Sequence, residues 1–344
     1  MNKPIRNFLI TGAAIALPAL INNAIFSRAS ALGNTLGGEG RFWTFDEGDV
    51  FYTKQGHGKP PIVLLHGIYA GASSYEWRKN FDALGEHFTV YALDWLGFGL
   101  SDKPKIRYKA DIYVRLLEEF LRDVVESPAA VVASSLAGAF AIEAAKNSPE
   151  LIESLILVCP SGFSSLSEST ETVKQETIYQ IVSSPIIGTS LYNAITSRAS
   201  LRSYLQDNVY FDPSYVTEEM VDHYSTASHQ YGSQYAAQSF IGGQLNLSVS
   251  ESLPKVTQRN IQIIWGREAR QTPLSDAQAF LAANSTVDMK VIDKAGLLPQ
   301  DEQASTFNRI VTSTLTAQLQ PNEETTKSEG KKSKKANSNE PPIA

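Results

Sequence analysis

The sequence is poor in the residues that build cross-links and metal centres. Cys159 is the single cysteine in 344 residues, so an intramolecular disulfide is excluded. The five histidines come without a CxxC or HxxxH spacing, which leaves no pattern for zinc. Neither a metal nor a cofactor is expected. No histidine follows His229, so the last third of the chain does without an imidazole. Positive charge is not in excess either. With 30 Lys and Arg against 36 Asp and Glu the net charge is −6, which argues against nucleic acid as a partner. Long apolar runs are scarce too. Phe8–Ile21 falls short of the ~20 residues of a comfortable membrane span, contains Pro18, and is interrupted by Asn22 and Asn23.

That run nevertheless sits in a recognisable context. Lys3 and Arg6 precede it, and Ala29-Ser30-Ala31 has the small-x-small form of a signal-peptidase site. Residues 1–31 are therefore read as a signal peptide or a membrane anchor, with a plain core helix as the bland alternative. Counted on to Phe26 the run is a marginal span, and as an anchor it would keep Lys3 and Arg6 on the cytoplasmic side. The expected location is thus exported or membrane-associated. At the other end, residues 321–344 lack aromatic and branched apolar side chains until Ile343 and read as a disordered tail. Lys331, Lys332, Lys334 and Lys335 there are read as solvated, with an anionic surface as the alternative.

What is present between is an alternation of short apolar runs and longer helical patterns. Pro61–Leu65, Thr89–Leu93, Ala130–Ala133, Leu155–Cys159 and Ile261–Trp265 are read as strands, most of them covered on both faces. Cys159, in one of these runs, is read as a buried core residue. Phe42–Phe45 and Val50–Thr53, joined through Glu47-Gly48-Asp49, predict an edge hairpin. Asp111 is the expected N-cap of a helix carrying Tyr113, Leu117, Phe120 and Val124 on one face. Asp276 reads as a first-turn helix acid. The pattern predicts an α/β protein with a mainly parallel twisted sheet and helices on both faces. From Phe163 to about Ser250 no strong strand occurs, which suggests an inserted helical cap or lid. The expected division is a core over 41–162 and 251–320, with the cap at 163–250.

Three segments carry chemistry. Ala133-Ser134-Ser135-Leu136-Ala137-Gly138 lies where a strand gives way to a helix of small residues, the setting of a nucleophile elbow. His66-Gly67-Ile68-Tyr69-Ala70-Gly71 follows the strand at Pro61–Leu65, and Asp94-Trp95-Leu96-Gly97-Phe98-Gly99-Leu100-Ser101 follows the next. In this order, over residues 41–318, they resemble the α/β-hydrolase superfamily, particularly its lidded branch of esterases, epoxide hydrolases, haloalkane dehalogenases and meta-cleavage-product hydrolases. The resemblance implies Ser135 as the nucleophile position. It also implies an oxyanion loop bearing Gly67, with the backbone N–H groups of Ile68 and Leu136 as donors. His66 and Asp94 would orient loops. The expected ligand is a small hydrophobic molecule or an ester-like substrate, with membrane association as a further possibility.

The chain departs from that family's pattern twice. The acid usually follows a W-G pair, but Trp265-Gly266-Arg267-Glu268-Ala269 puts Ala269 in its place. The histidine usually lies in an A-G-H-L-P loop, but Ala295-Gly296-Leu297-Leu298-Pro299 carries Leu297 there. Glu268 and Asp293 are the nearest candidates for a replacement acid, and His223 and His229 in the cap for a replacement base. A serine hydroxyl is not a useful nucleophile without a positioned base, and loss of the histidine from a subtilisin triad removes about 10⁶ of turnover. The leading reading is a non-hydrolytic protein that binds a ligand or partner. An active hydrolase or lyase drawing its base from elsewhere, and a purely structural protein, are the alternatives.

Overall fold

The structure, a computed structural model, describes residues 17–163, 171–256 and 260–319. The tail at 321–344 and the first half of the expected leader lie outside these residues. Residues 17–27 form α1. The strands are β1 (Glu39–Phe45), β2 (Gly48–Gln55), β3 (Pro61–Leu65), β4 (Thr89–Leu93), β5 (Ala129–Ser134), β6 (Ile152–Val158), β7 (Asn260–Gly266) and β8 (Val287–Ile292). The helices after α1 are α2 (Phe81–Gly85), α3 (Ala110–Phe120), α4 (Ala137–Asn147), α5 (Glu171–Val182), α6 (Ile187–Ile195), α7 (Arg198–Tyr204), α8 (Glu218–Ser228), α9 (Ser233–Ile241), α10 (Ala277–Ala283), α11 (Pro299–Glu302) and α12 (Ala304–Leu319).

One eight-stranded sheet runs in the order β1-β2-β4-β3-β5-β6-β7-β8. The β1–β2 and β2–β4 pairs are antiparallel and the rest are parallel. The central strands are apolar throughout because alternate side chains enter different cores. Val63, Leu65, Val131, Ala133, Leu155 and Leu157 pack with α3 and α4 on one face. Ile62, Leu64, Val90, Ala92, Val132 and Ile156 meet α2 and α12 on the other. Each such fully buried Val, Leu or Ile contributes about 1.5–3 kcal/mol.

The five predicted strands and the hairpin are present, the hairpin extended by several residues. β8 was not foreseen. Its polar Asp288 and Lys290 leave a pattern too weak to read, as an edge strand exposed on one side permits. Asp111 is not the N-cap of α3; Lys109 holds that position, and Asp111 lies in the first turn, where its charge complements the helix dipole. Asp276 sits at the N-cap of α10. Cys159 is fully buried, but it lies one residue past β6 with a φ of 42°. Its sulfur accepts the N–H of Gly266 at 3.3 Å, and burial pushes its thiol up to about 12.

Helices α5 to α9 are inserted between β6 and β7. Leu201, Leu205, Met220, Val221 and Ala236 of this insertion join the same core as α3 and α4. The helix α1 packs on it from outside. Asn22 donates to Ile186 O at 3.3 Å and to Ser190 Oγ at 3.1 Å, and it accepts from Asn193 Nδ2 at 2.9 Å. Among the described residues no helix is long and apolar enough to cross a membrane.

Candidate functional site

β5 ends at Ser134, α4 begins at Ala137, and Ser135 turns the chain between them with a φ of 53°. A left-handed backbone in a residue with a side chain costs about 1–2 kcal/mol, so the surroundings must hold it. They do so through the neighbouring strand: Ser135 N–H donates to Val158 O at 2.9 Å, and Ser161 N–H donates to Ser135 O at 3.4 Å. The small residues of α4 let it lie close. A Cβ on Gly138 would stand 3.3 Å from Pro160 Cβ, which leaves little room for anything larger.

The loop after β3 comes to the same place. Gly67 lies against Ser135, for a Cβ there would be 3.5 Å from Ser135 Cβ. The N–H groups of Ile68 and Leu136 have no hydrogen-bond acceptor among the described residues. The N–H of Gly67 is taken instead by Glu76 Oε2 at 3.0 Å. His66 and Asp94 hold backbone. His66 Nε2 accepts from Trp95 N–H at 3.2 Å, and burial lowers its pKa, so the ring stays neutral. Asp94 accepts from Ser74 N–H at 2.6 Å and from Leu100 N–H at 2.7 Å. A Cβ on Gly99 would fall 2.1 Å from Asp94 Oδ2, so only glycine allows this clasp.

A profile of the alpha/beta hydrolase fold matches residues 60–180. The chain is 34% identical over 113 residues to 2-hydroxy-6-oxo-6-(2'-aminophenyl)hexa-2,4-dienoic acid hydrolase of Metapseudomonas resinovorans, a match spanning 32% of this chain and 39% of that enzyme. It is 28% identical to an uncharacterized hydrolase of Bacillus subtilis over 68% of this chain and 82% of that one. The solved meta-cleavage product hydrolase of Pseudomonas fluorescens superposes with a TM-score of 0.67 at 25% identity, covering 83% of this chain and 99% of that one. Residues 60–180 thus match the α/β-hydrolase family, and the chain as a whole has the α/β-hydrolase fold.

The surroundings of Ser135 are sparse in polar partners. Its hydroxyl has no hydrogen-bond partner among the described residues. Leu297, beyond β8, is buried in the core with its N–H on Val209 O at 2.8 Å. Ala269, beyond β7, is buried likewise. Glu268 accepts from Ala295 N–H at 3.0 Å, and Asp293 pairs with Arg267 at the surface. His223 Nε2 lies 2.9 Å from Ser73 Oγ, its ring stacked on Tyr75 with centroids 3.9 Å apart. Burial, aided by the charge of Arg78, lowers His223 to about 4. His229 Nε2 lies 3.2 Å from Thr196 Oγ1 and its Nδ1 2.7 Å from Ser225 O. Both histidines are thus engaged away from Ser135.

Several residues that matter here carried no signal in the sequence. Glu76 is buried and accepts from Gly67 N–H, from Tyr69 Oη–H at 2.9 Å and from Gln300 Nε2 at 2.7 Å. Gln300 also reaches Ser134 Oγ at 3.4 Å. Tyr69 keeps its proton, because burial and the adjacent carboxylate raise its pKa well above the ordinary phenol value. Asp301 is buried between Arg78 and Lys79, each at 2.7 Å, and accepts from Tyr210. Glu302 accepts from the N–H groups of Gly296, Phe211 and Asp212, yet burial still raises its pKa. The loop from Gly296 to Glu302 is therefore tied to both the insertion and the loop after β3.

Above this floor lies a cavity of about 350 Å³ within the insertion. Tyr69, Leu201, Leu205, Tyr224, Ala237 and Phe240 are among its walls, Ser135 is not, and no wall residue is charged. Tyr69 and Tyr224, whose hydroxyls are 3.3 Å apart, close it toward Glu76. Helical spacing of Leu201 and Leu205, and of Ala237 and Ile241, was the available signal for it in the sequence.

Proposed function

We propose that this protein binds a small apolar ligand beneath a helical cap, residues 163–250, without hydrolysing it. In this reading Ser135 occupies the nucleophile position as a relic. Leu297 and Ala269 stand where the histidine and acid would be, and residues 41–162 and 251–320 form the supporting core. The observation that carries it is the unpartnered Ser135 hydroxyl. A serine proton must pass to a base within about 2.6–3.2 Å, and every histidine of the insertion is hydrogen-bonded elsewhere. The uncharged walls of the cavity suit an apolar guest, and its volume lies in the ordinary range for ligand pockets. Residues 1–31 would place the domain outside the cytoplasm or at a membrane.

Incubation of the full-length protein with nitrophenyl esters of graded chain length tests this. The expected result is no turnover above buffer, with saturable competition by the same esters against a bound fluorescent fatty acid. Turnover that disappears in Ser135→Ala would refute the reading.

A second reading, an active hydrolase, draws on the retained left-handed Ser135 and the free N–H groups of Ile68 and Leu136, features an oxyanion site needs. The Pseudomonas fluorescens neighbour is a meta-cleavage product hydrolase, and the Metapseudomonas resinovorans relative is a dienoic acid hydrolase. Release of a carboxylic acid from such a dienoate by the wild type, and none by Ser135→Ala, would establish it.

A further inference from the structure

Several of the exposed large apolar side chains among the described residues lie on two helices, α1 and α6. On α6, Ile187, Leu191 and Ile195 recur every four residues and are 69%, 45% and 40% exposed, forming one stripe along the helix. On α1, Leu17, Leu20 and Ile21 are 62%, 66% and 50% exposed. The contacts of Asn22 with Ser190 and Asn193 fix these two helices side by side. Soluble monomers rarely leave so large an apolar patch uncovered. The patch also reaches the cavity, for Ile195, at the end of the α6 stripe, and the exposed Ile241 both line it.

We propose that this face lies on a lipid bilayer and that a phospholipid acyl chain enters the cavity from it. The inference rests on the ligand-binding reading above and gives that ligand its chemistry. The occupant follows from the chain that precedes the patch. Residues 8–16 are apolar but for Thr11 and Gly12, they follow Lys3 and Arg6, and they precede α1 directly in the sequence. An apolar segment inserted at that point brings α1 and the adjoining α6 stripe to the same membrane surface, where an amphipathic helix buries its apolar side in the acyl boundary. The uncharged cavity then opens toward hydrocarbon rather than water.

The test uses the full-length protein in phosphatidylcholine vesicles. A fluorophore on Leu191→Cys reports the patch, and one on Leu281→Cys, exposed on α10, reports a distant surface. Cys159 is buried and its thiol is pushed up to about 12, so it does not compete for label. Brominated acyl chains are expected to quench the Leu191 label at least twofold and leave the Leu281 label unchanged. Capture of pyrene-labelled phosphatidylcholine is expected to fall at least tenfold in Ala237→Trp, and also in the rim variant Ile241→Trp should the first fold poorly, with the Leu191 quenching retained. Equal quenching at both labels, or undiminished capture in the filled variants, overturns the proposal. So does a blue-shifted Leu191 label that bromine does not quench, which identifies a second copy of the chain as the occupant. Release of free fatty acid from the vesicles would refute the non-hydrolytic reading while leaving bilayer docking in place.

Discussion

The floor around Ser135 and the cavity above it are built in opposite ways. The floor is polar and densely bonded: Glu76, Gln300, Asp301 and Glu302 are each at most 4% exposed and each is hydrogen-bonded or ion-paired. The cavity is apolar and borders empty space, and Tyr69 and Tyr224 separate the two. A network of buried carboxylates near a serine resembles catalytic equipment, yet here its oxygens accept from backbone amides, the phenols of Tyr69 and Tyr210, a side-chain amide, and the cations of Arg78 and Lys79. Burial of charge is tolerated only when such partners are complete. The contrast teaches that the polar groups are spent on holding loops together, while the open space lies among the apolar side chains of the insertion.

The largest expected effect breaks the floor. Asp301→Ala strands Arg78, whose side chain is 17% exposed, and removes the acceptor of Tyr210. Removing one partner of a buried pair costs about 3–5 kcal/mol, and the urea midpoint is expected to fall accordingly. A loss below about 1 kcal/mol would show the floor to be looser than described. A second pair of variants compares the regions directly. Leu64→Ala in the close-packed sheet and Leu201→Ala on the cavity wall remove the same apolar volume. Large-to-small changes cost about 2–5 kcal/mol where packing is complete, and less where the wall already faces a void. Leu201→Ala is therefore expected to be the milder by chemical denaturation, with equal losses erasing the distinction.

The smallest effect concerns pH at the seam. His223 titrates near 4 in the folded protein, against an ordinary 6.5, because burial and Arg78 disfavour its charge. Between these values the unfolded chain binds the extra proton. The neutral imidazole's contribution is thus complete above pH 6.5, falls as the pH drops toward 4, and changes no further below. The loss is on the order of 1–2 kcal/mol after allowance for partial exposure. Thermal unfolding of His223→Gln is expected to lack this part of the acid slope.

The sheet and the turn at Ser135 were legible because unbroken apolar runs and a run of small residues each have one economical structural solution. That Leu297 and Ala269 stand in place of a histidine and an acid is read from Trp265-Gly266 and Gly296 at the ends of their loops, and it belongs to the function proposed above. The floor was not legible. Glu76 lies between Tyr75 and Trp77 without a pattern, and its partners Gly67, Tyr69 and Gln300 come from distant segments. β8 escaped for a different reason, since its exposed Asp288 and Lys290 mask a strand that has only one neighbour. The cavity depends on how α6 to α9 pack together over the loop after β3, which no single helix's periodicity encodes.

The most direct measurement is the rate at which an activated fluorophosphonate modifies Ser135, read by peptide mass spectrometry. The unaltered protein is expected to remain unmodified over hours. Leu297→His combined with Ala269→Asp, which supplies a base and an acid at the two positions beyond β8 and β7, is expected to raise the rate at least tenfold. Modification of the unaltered protein within minutes, insensitive to those substitutions, would contradict the account.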